Sequence, residues 1–106
     1  MAKGIMILET YPVSPEQEAE YNEWYDNVHL QEVCALPGFL GARRYAPSGP
    51  GAPYLAIYEI ESDDVQKAVA DMKEQAANGA FTSTDALRRN PPPVSRVVVE
   101  IANHAA

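Results

Sequence analysis

One stretch of the chain concentrates residues able to move protons: Tyr21-Asn-Glu-Trp24-Tyr25-Asp-Asn-Val28-His29-Leu-Gln-Glu32-Val. His29 stands four residues after Tyr25 and three before Glu32, spacings that bring side chains together on a helix surface. A carboxylate beside an imidazole can fix its tautomer and raise its basicity, and aromatic neighbours can exclude water. That is the setting general acid–base catalysis asks for, so His29 and Glu32 form the candidate catalytic pair. Placed at 100° per residue, Tyr21, Trp24, Tyr25, Val28, Ala35 and Leu36 share one broad face. Glu32 falls inside that face and His29 at its edge. Glu23 and Asp26 project from the outer side as solvated charges. The competing reading is structural: a satisfied histidine, a Trp24 that packs in the core or at a dimer interface, and a Glu32 with its head in water.

Two later segments carry the candidate substrate contacts. Arg43, Tyr45, Tyr54 and Tyr58 can project into a cavity between sheet and helix or between subunits. Tyrosine hydroxyls there could orient a carbonyl or phenol, and Arg43 or Arg44 could attract an anion. Trp24 and Tyr25 would supply the wall. The single cysteine, Cys34, has no base at local spacing and reads as a buried structural thiol. His104 falls in the expected tail and receives no role. A glycine-rich phosphate loop, a GxSxG elbow, an HExxH pair and zinc-ligand spacing are all missing, so neither a nucleotide cofactor nor a metal is indicated.

Positioning these groups requires a framework, and the chain spells one out. Residues 4–11 place Ile5, Met6, Ile7 and Leu8 before Pro12 and read as a first strand. Ser14-Pro15 with Gln17 matches an N-cap, a proline at the first helical position and a capping box. The helix it opens runs over 14–36 and stops at Pro37-Gly38. Residues 39–46 alternate as a second strand, 47–53 form a turn-rich loop, and 54–61 are the clearest strand. Ser62 is expected to cap a second helix with Asp63 and Asp64 in its first turn. Val65, Ala68, Val69, Met72 and Ala76 form its apolar stripe, and Asn78-Gly79 ends it. Residues 80–93 read as a loop with a short helical insert near Ser83-Thr84-Asp85. A final strand over 94–102 precedes a frayed tail.

The order β-α-β-β-α-β predicts a ferredoxin-like α+β domain, a four-stranded antiparallel sheet with both helices on one face. The chain has 106 residues, 46% of them hydrophobic, enough for one core and one domain. The other sheet face then needs a cover. In the third strand Tyr54, Ala56, Tyr58 and Ile60 share one side and Leu55, Ile57 and Glu59 the other, so neither side is simply polar. A homodimer is the expected solution. Eight Lys and Arg against fifteen Asp and Glu give a net charge of −7, the wrong sign for nucleic acid. No apolar run is long enough to span a bilayer, and the first residues lack the pattern of a signal peptide. With one cysteine and no internal disulfide, the expectation is a cytoplasmic protein that engages neither membrane nor nucleic acid.

With element order and the WYDNVHL segment in hand, the chain resembles the EthD-like branch of the dimeric α+β barrel superfamily. The resemblance spans nearly the whole chain, through EYNEWYDNVHLQEV, LPGFLGARRY, YLAIYEIES and the last strand. Its most specific part is Trp24-Tyr25 with His29, followed by Leu36-Pro37-Gly38-Phe39. The resemblance implies a homodimer of face-to-face sheets, each subunit holding a pocket between sheet and helices, with His29 at a position where relatives keep a polar pocket residue. It also implies a range of chemistries, among them cofactor-free monooxygenases, polyketide cyclases, muconolactone-type isomerases and haem enzymes. Without a second histidine in the core, haem ligation is not expected. The leading expectation is an enzyme without a cofactor that transfers protons in an isomerase, cyclase or lyase reaction on an aromatic, polyketide-like or other carbonyl-containing metabolite. His29 would be base or acid, oriented by Glu32, with Tyr25 and Tyr58 on the substrate oxygen. A non-enzymatic small-molecule-binding protein and a cofactor-free monooxygenase are the alternatives.

Overall fold

A computed structural model describes residues 1–106. The apolar run near the start forms β1 (Ala2–Thr10), followed by β2 (Phe39–Tyr45), β3 (Tyr54–Ser62) and β4 (Val94–Val99). They make one antiparallel sheet in the order β2-β3-β1-β4. With both helical segments packed on one face, this is the expected ferredoxin-like α+β fold. The register aligns Val97, Met6, Tyr58 and Ala42 in a row facing the helices, and Arg96, Ile7, Ile57 and Arg43 in a row on the opposite face. Met6, Ala56, Tyr58 and Ile60 are buried beneath the helices with Val65, Val69 and Met72, which fixes the core between the layers. Alternation in β3 therefore sorts the side chains as its sequence indicates.

The first helical rod departs from its sequence reading in one important way. It begins with a 3-10 turn (Pro15–Gln17), continues as α1 (Glu18–Trp24), widens into a π turn (Tyr25–His29) and ends as α2 (Leu30–Cys34). Ser14 has extended backbone but caps no amide. Its hydroxyl instead donates to Oε1 of Gln17 at 3.3 Å, so the expected capping box is not made. The residues turned inward, Tyr21, Tyr25, His29 and Val33, recur every four positions. In a straight α-helix a stride of four drifts by about 40° each step. The π turn takes up that drift. As a result Val33 is buried and Ala35, expected on the inner face, is exposed.

The second helix, α3 (Val65–Ala77), is capped by Asp64 rather than by Ser62. The Asp64 carboxylate accepts from the Lys67 amide at 3.1 Å, while Ser62 is still the last residue of β3 and accepts from the Asp64 amide. Asp63 and Asp64 thus precede the first turn instead of lying in it. Gly79, at φ +80°, ends the helix as expected, a left-handed position glycine tolerates. Residues 80–93 contain a turn at Asp85-Ala86 in place of the helical insert. Their backbone bonds outward, the Val13 amide to the Ala86 carbonyl at 2.7 Å and the Arg88 amide to the Tyr11 carbonyl at 3.0 Å. Those partners belong to the segment after β1, so no helix is needed to satisfy them.

Candidate active site

His29, Trp24, Tyr25 and Tyr58 all lie on the helix side of the sheet. Successive turns stack the Trp24 and His29 rings, with centroids 4.5 Å apart and 16° between planes. Tyr25 meets His29 edge-on at 5.3 Å, and Phe81 from the 80–93 loop meets it edge-on at 5.7 Å. Burial in this aromatic setting pushes the imidazole down to about 4, against a smaller upward pull from the Glu32 carboxylate. His29 is therefore neutral across the physiological range.

Beside it, Arg44 lies in a cage of three tyrosine rings, its guanidinium carbon 4.4 Å from the centre of Tyr25 and 5.2–5.3 Å from those of Tyr54 and Tyr21. Such a contact favours the planar, weakly hydrated guanidinium. Two groups of the helical rod hold it, Asp26 at 2.8 Å and Asn22 at 3.0 Å. Asp26 is thus an anchor for the arginine and not merely a solvated charge. The Tyr21 and Thr10 hydroxyls share a hydrogen bond of 2.5 Å, and Tyr54 donates to Glu18 at 2.6 Å. Burial pushes Tyr25 up to about 12 and raises Tyr58 further, so both stay neutral donors.

Three sealed polar atoms in this layer have no hydrogen-bond partner: Nδ1 of His29, Nε of Arg44 and the hydroxyl of Tyr58. Buried polar groups are nearly always satisfied, so three orphans in one layer call for an explanation. A neutral imidazole, a cation and a neutral hydroxyl donor together can remove a proton from a bound molecule and stabilise the oxyanion left behind.

The remaining sequence candidates fall elsewhere. Glu32 does not bond to His29: its carboxylate accepts from the Thr82 amide at 3.0 and 3.2 Å and from the Thr82 hydroxyl at 2.9 Å. Arg43 and Tyr45 sit on the opposite face of the sheet, exposed, with Arg43 paired to Glu59 at 2.5 Å. They cannot share a helix-side site with His29 in the same chain. Arg44 takes that place, and registering β2 on β3 would have identified it, since Ala42 and Arg44 oppose Tyr58 and Ala56. Phe81 and Thr82 gave no local signal because they approach only through the fold. Cys34 is half-buried and its thiol is raised by burial, which favours the inert form. A cleft of about 550 Å³ opens at one end of the sheet and is lined by Arg43, Leu40 and Val98 among others; His29 lines none of the three main clefts. No three of the His, Cys, Asp and Glu side chains gather closely enough to hold a metal ion, and no helix is long and apolar enough to cross a membrane.

Neither a protein-family model nor a curated protein matches the sequence. Solved structures do share its architecture. A mutant of MhuD with two manganese protoporphyrin IX bound per active site superposes with a TM-score of 0.63 at 17% identity, over 97% of this chain and 98% of that one. A candidate monooxygenase from Shewanella loihica gives 0.61 at 15% identity, over 97% and 99%. The monooxygenase ActVA-Orf6 of Streptomyces coelicolor, in complex with nanaomycin D, gives 0.54 at 18% identity, over 97% and 92%. These neighbours have the dimeric α+β barrel fold seen in small-molecule monooxygenases. At such identities the likeness carries fold alone.

Proposed function

We propose that this chain is a small enzyme of the EthD-like type that works without a resident cofactor. It uses the neutral imidazole of His29 to take a proton from an enol, a phenol or a carbon next to a carbonyl. The carrying observation is the trio of sealed, unpartnered groups on His29, Arg44 and Tyr58. A ring nitrogen with a low affinity for protons becomes an effective base when the proton leaves an anion beside it, because the new imidazolium and oxyanion attract each other in a dry site. Arg44 and Tyr58 face the developing negative charge, and Trp24 and Tyr25 form the aromatic wall. Isomerisation, cyclisation and lyase chemistry all begin with this step. The test is proton exchange: enolisable ketones and phenolic metabolites incubated in deuterium oxide with the protein should incorporate deuterium faster than in buffer. Binding without exchange would favour a ligand-binding protein instead.

A second reading, oxidation of an electron-rich aromatic by oxygen, is supported by the fold shared with ActVA-Orf6 bound to nanaomycin D. It starts from the same deprotonation, and oxygen uptake that follows substrate separates it from isomerisation.

The active form is a homodimer joined through the helix-free face of the sheet. Leu40, Tyr45, Val94 and Val98 are exposed on that side of the molecule at 63, 47, 59 and 37%. A cluster of this kind on a small domain marks a contact surface. Light scattering should give about twice the 11.6 kDa chain mass, and the double variant Leu40→Glu, Val98→Lys should run as a monomer.

A further inference from the structure

We infer that the segment Ala80–Asp85 is a latched cover over His29, and that Glu32 and Thr82 are the positioning residues that hold it shut. Trp24 stacks on the imidazole, Tyr25 and Phe81 meet it edge-on, and Nδ1 among them is sealed without a partner. Between Ala80, whose amide closes α3 on the Gln75 carbonyl, and Ala86, bonded to Val13, Thr82 alone hydrogen-bonds the segment to the first helical rod. It does so on three sides. Trp24 Nε1 donates to the Thr82 carbonyl at 3.0 Å, the Thr82 amide donates to Oε1 of Glu32 at 3.0 Å, and its hydroxyl donates to Oε2 at 2.9 Å.

These bonds are exposed to solvent, where hydrogen bonds are individually modest, so release is an accessible local excursion rather than global unfolding. Gly79 stands at the start of the segment in a left-handed conformation with open space around it, a position able to absorb a change of chain direction. The latch also accounts for two otherwise unconnected facts: Glu32 bonds to Thr82 rather than to the histidine it was expected to orient, and the orphaned polar groups line none of the three main clefts. The Nδ1 side of the ring is closed off, and a substrate reaches that nitrogen when Thr82 lets go. What the cover serves rests on the proposed role of His29; that it covers and latches does not.

The two histidines make the test internal to one chain. Diethyl pyrocarbonate acylates neutral imidazole, and His104 in the exposed tail serves as the reference for His29. In the unmodified protein His29 should react at least tenfold more slowly than His104. Glu32→Ala, which removes two arms of the latch, and Phe81→Ala, which removes the cover, should each raise the His29 rate at least fivefold relative to His104. Trp24 is the sole tryptophan, so acrylamide quenching of its fluorescence should rise in Glu32→Ala as well. Equal reactivity of both histidines in the unmodified protein overturns the cover, whatever the variants do. Protection that survives Glu32→Ala unchanged overturns the latch. None of these readings uses turnover: a latched protein that exchanges no substrate protons sinks the catalytic proposal alone, and a catalyst whose His29 reacts freely sinks the latch alone.

Discussion

Replacing His29 with alanine should lower turnover by about 10²- to 10⁴-fold, the range a positioned general base contributes. On the proposed mechanism the loss should lie in kcat, because there the imidazole acts on the proton in flight while Tyr25, Trp24 and Arg44 hold the substrate. Folding should survive, since His29 is half-buried and makes no hydrogen bond whose partner would be stranded. The pH dependence makes the prediction specific. A base must be unprotonated, and burial holds this imidazole near 4 rather than 6.5. Activity should therefore be flat from neutral pH down to about 5 and fall as pH drops through about 4, with kcat/KM as the measured quantity. An inflection near 6.5 would mean that the ring titrates as if in water and that the dry site does not exist. Rescue of the alanine variant by added imidazole would separate lost chemistry from lost structure.

The order of elements was readable because each announced itself locally: apolar strands, proline before the first helix, asparagine-glycine after the second. What the sequence could not reveal has a physical pattern. An ideal 100° projection put Val28, Glu32 and Ala35 inward, but Tyr21 and Tyr25 are large and both pack against the sheet side. The rod widens after Trp24 to keep them there, and everything downstream rotates. That rotation turns the Glu32 carboxylate toward Thr82 and leaves Val33 beneath. Arg43 and Arg44 are adjacent and chemically equivalent in the sequence, and only the pairing of β2 with β3 tells which one meets the tyrosines. The Leu40 bulge intervenes just before them. Local propensity therefore located the elements, while side-chain assignment at the site depended on register and on one wide helical turn, both of which tertiary packing decides.

Gly4→Ala should destabilise the domain by about 3 kcal/mol, at the upper end of what overpacking costs. Elsewhere in a strand the same change usually helps, since glycine weakens strand interiors. Here β1 is central, with Gly4 paired to Ile60 on one side and Val99 on the other. A β-carbon at this position would stand 2.6 Å from the Val98 carbonyl oxygen and 3.0 Å from Cγ1 of Val65 on α3. The valine methyl can rotate away, but the carbonyl belongs to the neighbouring strand and moves only if β4 moves. Gly41 is the internal control: nothing lies within 4 Å of its missing side chain, so Gly41→Ala should be neutral or slightly stabilising. Urea denaturation should separate the two, with a midpoint lowered by roughly 1–3 M for Gly4→Ala and nearly unchanged for Gly41→Ala. The double variant Gly4→Ala, Val65→Ala should recover only part of the loss, because it relieves the contact with α3 and leaves the contact with β4. Full recovery would mean that β4 yields readily and that helix packing alone demands the glycine.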